Sequence, residues 1–223
     1  MKRKIYDELL KWKRVSNGKT ALLIDGARRV GKSYIAEEFA KNEYASYVLI
    51  DFAKANRKLK ALFDEYLDDL DTFFLFLQQQ LRVKLQKGNA LVIFDEVQRF
   101  PRAREAIKYL VADGRYHYLE TGSLISINKN VEKILIPSEE RRIKMFPMDF
   151  EEFLWAMGNE VAMPLMVDRF VKRLPFGRDS HRQLMTLFRQ YLVVGGMPQV
   201  VQDFVNSRDL DSVDALKRSI LEL

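Results

Sequence analysis

Residues 26 to 33 have the types and spacing that bind phosphate groups. The segment reads Gly-Ala-Arg-Arg-Val-Gly-Lys-Ser and matches the pattern G-x-x-x-x-G-K-[ST]. Such a loop points its backbone N–H groups at the phosphates, and glycine adopts the required dihedral angles without a Cβ clash. The helix that follows directs the positive end of its dipole at the anion. The pattern therefore predicts a site for a nucleoside triphosphate.

Two side chains of this loop carry the chemistry. Lys32 supplies a mobile positive charge to the β- and γ-phosphate oxygens, and the Ser33 hydroxyl is a ligand for Mg²⁺. We therefore predict ATP and Mg²⁺ as cofactors, with GTP as the alternative nucleotide. The loop arginines either touch phosphates or form caps and salt bridges. The candidate nucleotide contacts are Gly26, Ala27, Arg28, Arg29, Val30, Gly31, Lys32, Ser33 and Tyr34.

An acidic pair follows a second apolar segment. Ala90 to Phe94 is apolar, and Asp95 and Glu96 come directly after it. Because the carboxyl ends of parallel strands meet at the ligand-binding edge of a sheet, we expect Asp95 beside the loop, where it helps to hold Mg²⁺. Glu96 projects differently and is the candidate catalytic residue that orients or deprotonates a water attacking the γ-phosphate. A glutamate in that role favours hydrolysis over transfer to a small acceptor.

A polar turn follows a third apolar segment, Tyr116 to Thr121. If this strand lies between those that carry the loop and the acidic pair, Thr121 or Ser123 reaches the γ-phosphate and the attacking water. Alternatively, the turn only ends the strand. His117 lies between two tyrosines and is interpreted as a packed residue.

Arg142 is a candidate for stabilising the charge of the transition state, in this subunit or in a neighbouring subunit of a homo-oligomer. The alternative is a surface ion pair with Glu139 or Glu140.

The periodicity of the chain indicates an α/β fold that positions these residues. Strand-length apolar runs alternate with amphipathic helical patterns, which is typical of a parallel sheet covered by helices on both faces. The predicted strands are Thr20 to Asp25, Ser46 to Phe52, Ala90 to Asp95, Tyr116 to Thr121 and Arg142 to Phe146, and the predicted helices between and before them include Lys4 to Trp12, Leu59 to Leu67, Leu70 to Val83 and one that begins at Pro101.

From Asp149 onward the pattern is purely helical, so we predict a core domain over residues 1–148 and an all-α lid subdomain over 149–223. Gly195 and Pro198 are expected to end one helix and start the next, with a contact to the adenine as an additional possibility. The last helical pattern carries an apolar stripe of Val213, Leu216, Ile220 and Leu223, which we interpret as a surface that a missing segment or a partner covers.

Composition narrows the class of protein. Lys and Arg number 37 and Asp and Glu 31, a net charge of +6 that permits nucleic-acid binding without requiring it. The longest apolar runs are far shorter than the roughly 20 residues of a membrane-spanning helix. Cysteine is absent, which excludes disulfides and fits a cytoplasmic protein. We expect ATP as the ligand, no membrane association, and nucleic acid or a protein client as a further partner.

Taken together, five motifs resemble a prokaryotic family, the AAA-superfamily ATPases that carry a C-terminal domain of unknown function. They occur in order over nearly the whole chain: Gly26 to Ser33, Phe94 to Gln98, Thr121 to Ser123, Phe150 to Leu154, and Tyr191 to Pro198. The chain departs from the family pattern at Arg141-Arg142, where Gly-Arg is often found, and this departure weakens the transfer of a role to Arg142.

The resemblance implies a five-stranded P-loop NTPase sheet in the order 5-1-4-3-2, followed by a helical lid. It implies Lys32 and Ser33 as nucleotide and metal residues, Asp95 as the metal-side acid, Glu96 as catalytic, and Thr121 or Ser123 as the residue that senses the γ-phosphate. Relatives are usually longer, with a nuclease-like C-terminal domain that this chain is expected to lack.

The sequence thus favours an ATP-hydrolysing module that couples its nucleotide state to the lid and to a downstream domain. A slow-turnover, nucleotide-gated switch that binds DNA or protein is the alternative. A small-molecule kinase is the third hypothesis, and it predicts phosphate transfer to an acceptor in place of phosphate release.

Overall fold

The computed structural model describes residues 1–123 and 139–222 of the chain. They form two compact units. Ile5–Met145 makes the first, which we call the sheet unit. Met1–Lys4 and Phe146–Leu223 make the second, which we call the helical unit. The division predicted at residue 148 stays a prediction of domain organisation.

The sheet unit contains five parallel strands in the order β2-β3-β4-β1-β5. This is the predicted order 5-1-4-3-2 read from the other edge, so the predicted fold class is confirmed. The strands are β1 (Ala21–Gly26), β2 (Ser46–Asp51), β3 (Ala90–Asp95), β4 (His117–Gly122) and β5 (Glu140–Met145).

Among the described residues, five helices cover the sheet. They are α1 (Ile5–Ser16), α2 (Lys32–Glu43), α3 (Arg57–Glu65), α4 (Leu70–Leu81) and α5 (Pro101–Asp113), and a 3₁₀ turn spans Val97–Arg99. Three of them begin at a starting signal in the sequence: the side chains of Asn56 and Asp69 accept from backbone N–H groups in the first turns of α3 and α4, and Pro101 opens α5.

The main core lies on the sheet face that carries α3, α4 and α5. Strands β1 and β3 are buried throughout, as expected for a sheet with both faces covered. Edge-to-face aromatic pairs fill the space above them, for example Phe63 against Phe73 and Phe94. Such pairs contribute about 0.5–1.5 kcal/mol each beyond the burial of their area. This packing holds the carboxyl end of β3 in place.

The helical unit contains five described helices: α6 (Phe150–Ala156), α7 (Ala162–Lys172), α8 (Arg178–Val194), α9 (Pro198–Ser207) and α10 (Leu210–Leu221). A capping box between Asp149 and Glu152 starts α6. The buried guanidinium of Arg3 lies 3.2 Å from the Glu152 carboxylate, which ties the first residues of the chain to this unit.

A backbone contact explains the two glycines after Val194. Gly195, with φ of 80°, ends α8, and Pro198 begins α9, which confirms the predicted punctuation. The Met148 N–H donates to the Gly196 carbonyl at 2.7 Å, and a Cβ on Gly196 would lie 2.2 Å from the Met148 carbonyl oxygen. Glycine is therefore required by close backbone packing. The adenine contact stays a prediction.

The apolar stripe of the last helix is largely covered within its own unit. Val213 is buried, and Leu216 and Ile220 pack against the core formed by Met148, Phe153, Val200, Val201 and Phe204. The interpretation of this stripe as an uncovered surface is therefore wrong for these three residues, and Leu223 lies outside the described residues. None of the helices described is long and apolar enough to cross a membrane.

Candidate active site

The phosphate loop connects β1 to α2 at the carboxyl edge of the sheet. Gly31, with φ of 96°, is left-handed and precedes the first turn of α2. Arg29 is also left-handed, with φ of 64°. Gly26 is needed for another reason: a Cβ there would lie 2.2 Å from the carbonyl oxygen of Met145 on the neighbouring β5. The absence of a side chain at the first glycine of the motif thus allows the backbone at the start of the loop to pack closely against the edge strand β5.

Lys32 lies folded over the loop. Its ammonium donates to the carbonyls of Ala27 at 2.7 Å and Gly26 at 3.1 Å, and the side chain is buried. Burial lowers the pKa of Lys32, while the carboxylates of Glu96 and Asp95 act in the opposite direction. A desolvated cation that donates its hydrogen bonds to carbonyls among the described residues is well placed to bind a phosphate.

The two predicted Mg²⁺ ligands are in contact. The Ser33 hydroxyl donates to Asp95 Oδ1 at 2.7 Å. Both are hard oxygen donors of the kind that Mg²⁺ prefers, and one carboxylate with several waters and phosphate oxygens is its usual environment in nucleotide sites. The described residues contain no cluster of three or more His, Cys, Asp or Glu that could hold a metal alone. The donor set therefore fits a magnesium ion shared with a bound nucleotide.

Thr121 braces the acidic pair. Its hydroxyl, fully buried, donates to Asp95 Oδ1 and accepts from the Glu96 N–H at 3.2 Å. Strand β4 lies between β1 and β3, as the sequence argument required. Thr121 thus fixes the geometry of both carboxylates. Ser123 is buried next to this edge, and a contact of Thr121 or Ser123 with the γ-phosphate stays a prediction.

Glu96 adopts a left-handed backbone, with φ of 54° and ψ of 45°, which non-glycine residues adopt at a cost. Its side chain is half-buried and accepts a hydrogen bond from the Gln98 amide. Sequence reasoning missed Gln98, although the motif Asp95 to Gln98 contains it.

The remaining loop residues differ in exposure. Ala27, Arg28 and Arg29 are exposed, whereas Val30 is buried in the core. Tyr34 is exposed to 57%, and partial burial together with Glu38 raises the pKa of its phenol. Because Arg28 and Arg29 are exposed, their side chains can contact either a ligand or solvent.

A buried ionic cluster that was not predicted connects α5 to β5. Arg104 on α5 forms a double hydrogen bond with Glu140 on β5, at 2.9 Å for each contact. Glu140 therefore pairs with Arg104, and the alternative of a Glu140–Arg142 surface pair is wrong. Burial raises the pKa of Glu120 well above its usual range, and Glu140 adds to this effect.

Asp25, the residue before the loop, joins the same region. Its side chain is buried, and this burial raises the pKa of the carboxyl, while the charge of Arg142 opposes the shift. The sequence feature that could have identified Asp25 is its position as a carboxylate at the end of an otherwise apolar strand.

His117 lies at the opposite end of β4 from the site. Its Nδ1 shares a hydrogen bond of 2.9 Å with the Tyr44 hydroxyl, and burial lowers the pKa of its imidazole. Trp12 packs edge-on against the ring. These contacts agree with the interpretation of His117 as a packed residue.

Solved structures that resemble the chain include an Orc1 protein of Aeropyrum pernix in complex with DNA, at 12% identity and a TM-score of 0.46, over 72% of this chain and 50% of that one. PCH-2 of C. elegans matches at 12% identity and a TM-score of 0.44, over 98% of this chain and 65% of that one. The chain therefore spans less than two thirds of either structure.

No curated protein matches the chain. A family model described as AAA domain matches residues 18–154, a segment that contains the phosphate loop, the acidic pair and Thr121. Because this match covers more than half of the 223 residues, the chain belongs to the AAA domain family.

Proposed function

We propose that this protein binds ATP with Mg²⁺ and hydrolyses the bond between the β- and γ-phosphates. The contact between the Ser33 hydroxyl and Asp95, beside the buried ammonium of Lys32, carries the proposal. It brings a metal-binding pair and a phosphate-binding cation to one sheet edge, next to a loop that can enclose the phosphates.

The residues divide the reaction among them. The loop N–H groups and Lys32 bind the phosphates, and Ser33 and Asp95 hold Mg²⁺, which when bound neutralises charge on the phosphate oxygens. Glu96 takes a proton from the attacking water, whose oxygen forms a bond to the γ-phosphorus. The bond from that phosphorus to the bridging oxygen breaks, and ADP leaves with the electron pair. The hydrogen bonds from Thr121 keep Asp95 and Glu96 in position during this step.

The proposal extends to coupling between the two units and to a downstream domain. The connectivity of the chain supports this coupling. The Met145 carbonyl at the end of β5 packs against Gly26, and the chain continues directly from Met145 into the helical unit at Phe146. A nucleotide that shifts the loop can therefore act on β5. We include a homo-oligomer in which Arg142 serves a neighbouring subunit, and gel filtration with and without ATP tests it.

A nucleotide-gated DNA-binding switch is the second candidate. The helical unit favours it, because four arginines with no ion pair among the described residues lie exposed on or beside α8: Arg173, Arg178, Arg182 and Arg189. Exposed arginines of this kind bind phosphates of a nucleic acid. Fluorescence anisotropy of a labelled DNA duplex, with ATP, ADP or no nucleotide, separates gated binding from a simple ATPase.

Calorimetry and phosphate release test the main proposal directly. The wild type should bind ATP in the presence of Mg²⁺ and release phosphate, and titration with GTP measures the preference for the base. Lys32→Ala should abolish tight binding, whereas Lys41→Ala, at the exposed end of the same helix, should not, because an exposed ion pair contributes little. Absence of heat with any nucleoside triphosphate would refute the proposal.

A further inference from the structure

The backbone of Glu96 is fixed from two sides. Its N–H donates to the Thr121 hydroxyl at 3.2 Å, and its carbonyl accepts from the Arg99 N–H at 2.8 Å. Val97, which follows, is fully buried. These contacts hold the left-handed conformation at Glu96, so the start of its side chain has a defined position at the edge of the sheet.

Among the described residues, one hydrogen bond reaches the carboxylate at the end of that side chain. The 3₁₀ turn Val97–Arg99 folds Gln98 back, and its Nε2 donates to Glu96 Oε2. Among the described residues, no hydrogen bond reaches Glu96 Oε1. One carboxylate oxygen is therefore engaged, and the other is left to accept a proton.

The chemical type of residue 98 suits this arrangement. A lysine or arginine there would place a positive charge against the carboxylate and weaken it as a base. An amide donates a hydrogen bond without carrying a charge, and it does not titrate. Gln98 thus restrains the carboxylate and leaves its negative charge in place.

We infer that Gln98 is a positioning residue for hydrolysis, which holds Glu96 Oε2 so that Oε1 faces the attacking water. The inference rests on the proposed function. Catalysis by a positioned base depends on its orientation, and such a base typically contributes about 10²–10⁴-fold to the rate. Loss of the restraint should therefore lower the rate of the chemical step and leave nucleotide binding intact, because the hydrogen bond that is lost ends on Glu96 and not on the phosphate loop.

Two substitutions remove the donor and keep the length of the side chain. Gln98→Met should lower kcat by about tenfold or more, with KM and the Kd for ATP almost unchanged. Gln98→Glu keeps the shape and adds repulsion, so its kcat should fall at least as far, and it serves as the second variant if Gln98→Met does not fold. Gln79→Met, on the exposed side of α4, is the matched control and should behave as the wild type.

A double-mutant cycle separates positioning from a structural role. Single-turnover rates with enzyme in excess are measured for Glu96→Gln and for Glu96→Gln combined with Gln98→Met. If Gln98 acts through Glu96, the second substitution adds no further loss. A further loss of about tenfold in that background would mean that Gln98 acts elsewhere, and the inference would be overturned.

The outcomes also distinguish this inference from the proposed function. A wild type that binds ATP but releases no phosphate under any condition contradicts the hydrolysis itself. A wild type that hydrolyses ATP, together with Gln98→Met and Gln98→Glu variants that hydrolyse it equally fast, leaves the hydrolysis standing and overturns the role of Gln98.

Discussion

Thr121 connects to both members of the acidic pair, since one hydroxyl donates to Asp95 Oδ1 and accepts from the backbone of Glu96. The strand between β1 and β3 therefore supplies the link that orients Asp95 and Glu96 together.

Asp95→Asn should separate metal binding from folding. The asparagine oxygen can still accept from Ser33 and Thr121, but the negative charge that attracts Mg²⁺ is lost. We expect Mg²⁺ to no longer increase the affinity for ATP, and kcat to fall roughly 100-fold or more. Calorimetry with and without Mg²⁺ measures the first effect, and Asp64→Asn, at an exposed position of α3, is the control. An undiminished Mg²⁺ effect would remove Asp95 from the metal site.

Gly26→Ala should destabilise the sheet unit even without nucleotide. The added methyl would lie 2.2 Å from a backbone oxygen of β5, so the strand must move. Overpacking of this kind costs about 1–3 kcal/mol of unfolding free energy. Gly177→Ala, which has no atom within 4 Å of the added methyl, is the matched comparison. Equal urea midpoints for the two variants would contradict the prediction.

Arg104→Met should be strongly destabilising because it leaves the Glu140 carboxylate buried without its partner. Breaking a buried pair in this way costs about 3–5 kcal/mol. The double variant with Glu140→Met removes both charges and should recover much of the loss. Chemical denaturation of the wild type, Arg104→Met, Glu140→Met and the double variant measures the coupling, and additive losses would show that the pair is not the cause.

Glu120→Gln should change the pH dependence of stability. Burial raises the pKa of Glu120 in the folded protein, whereas an unfolded glutamate titrates near 4.3. Between these values the folded state holds a proton that the unfolded state has lost, so the unfolding free energy falls as pH rises. Below about pH 4 both states are protonated and the effect is absent.

The variant has no proton to lose and should gain stability over the wild type as pH increases from 4 to 7. Urea unfolding across this range measures the difference, with exposed Glu65→Gln as the control. A constant difference between Glu120→Gln and the wild type would show that Glu120 does not hold a proton in the folded state.

The fold was predictable because its signals are local and periodic. Ala90–Asp95 and the start of α5 at Pro101 have the predicted bounds, and the strand order implied by the family resemblance is the observed one. The first and last strands differ by one or two residues at their ends, because strand limits depend on pairing with neighbours and not on apolar character alone.

The site was predictable only in part, for a related reason. Lys32, Ser33 and Asp95 follow from a motif and a rule about parallel sheets, and the contact between Ser33 and Asp95 agrees with them. The Arg104–Glu140 pair joins residues 36 positions apart on a helix and a strand, and no local pattern relates them. The bond from Gln98 to Glu96 depends on a left-handed residue, which the side-chain types do not reveal.

The connectivity of the chain has a consequence for how it responds to cutting. Residues Met1–Lys4 belong to the helical unit, so the polypeptide passes between the units twice, at residues 4–5 and at 145–146. A single protease nick at the second passage would leave a fragment that still carries Arg3, held to Glu152, and Lys4, held to Asp149. The two fragments should therefore stay associated in native buffer and separate only in denaturant.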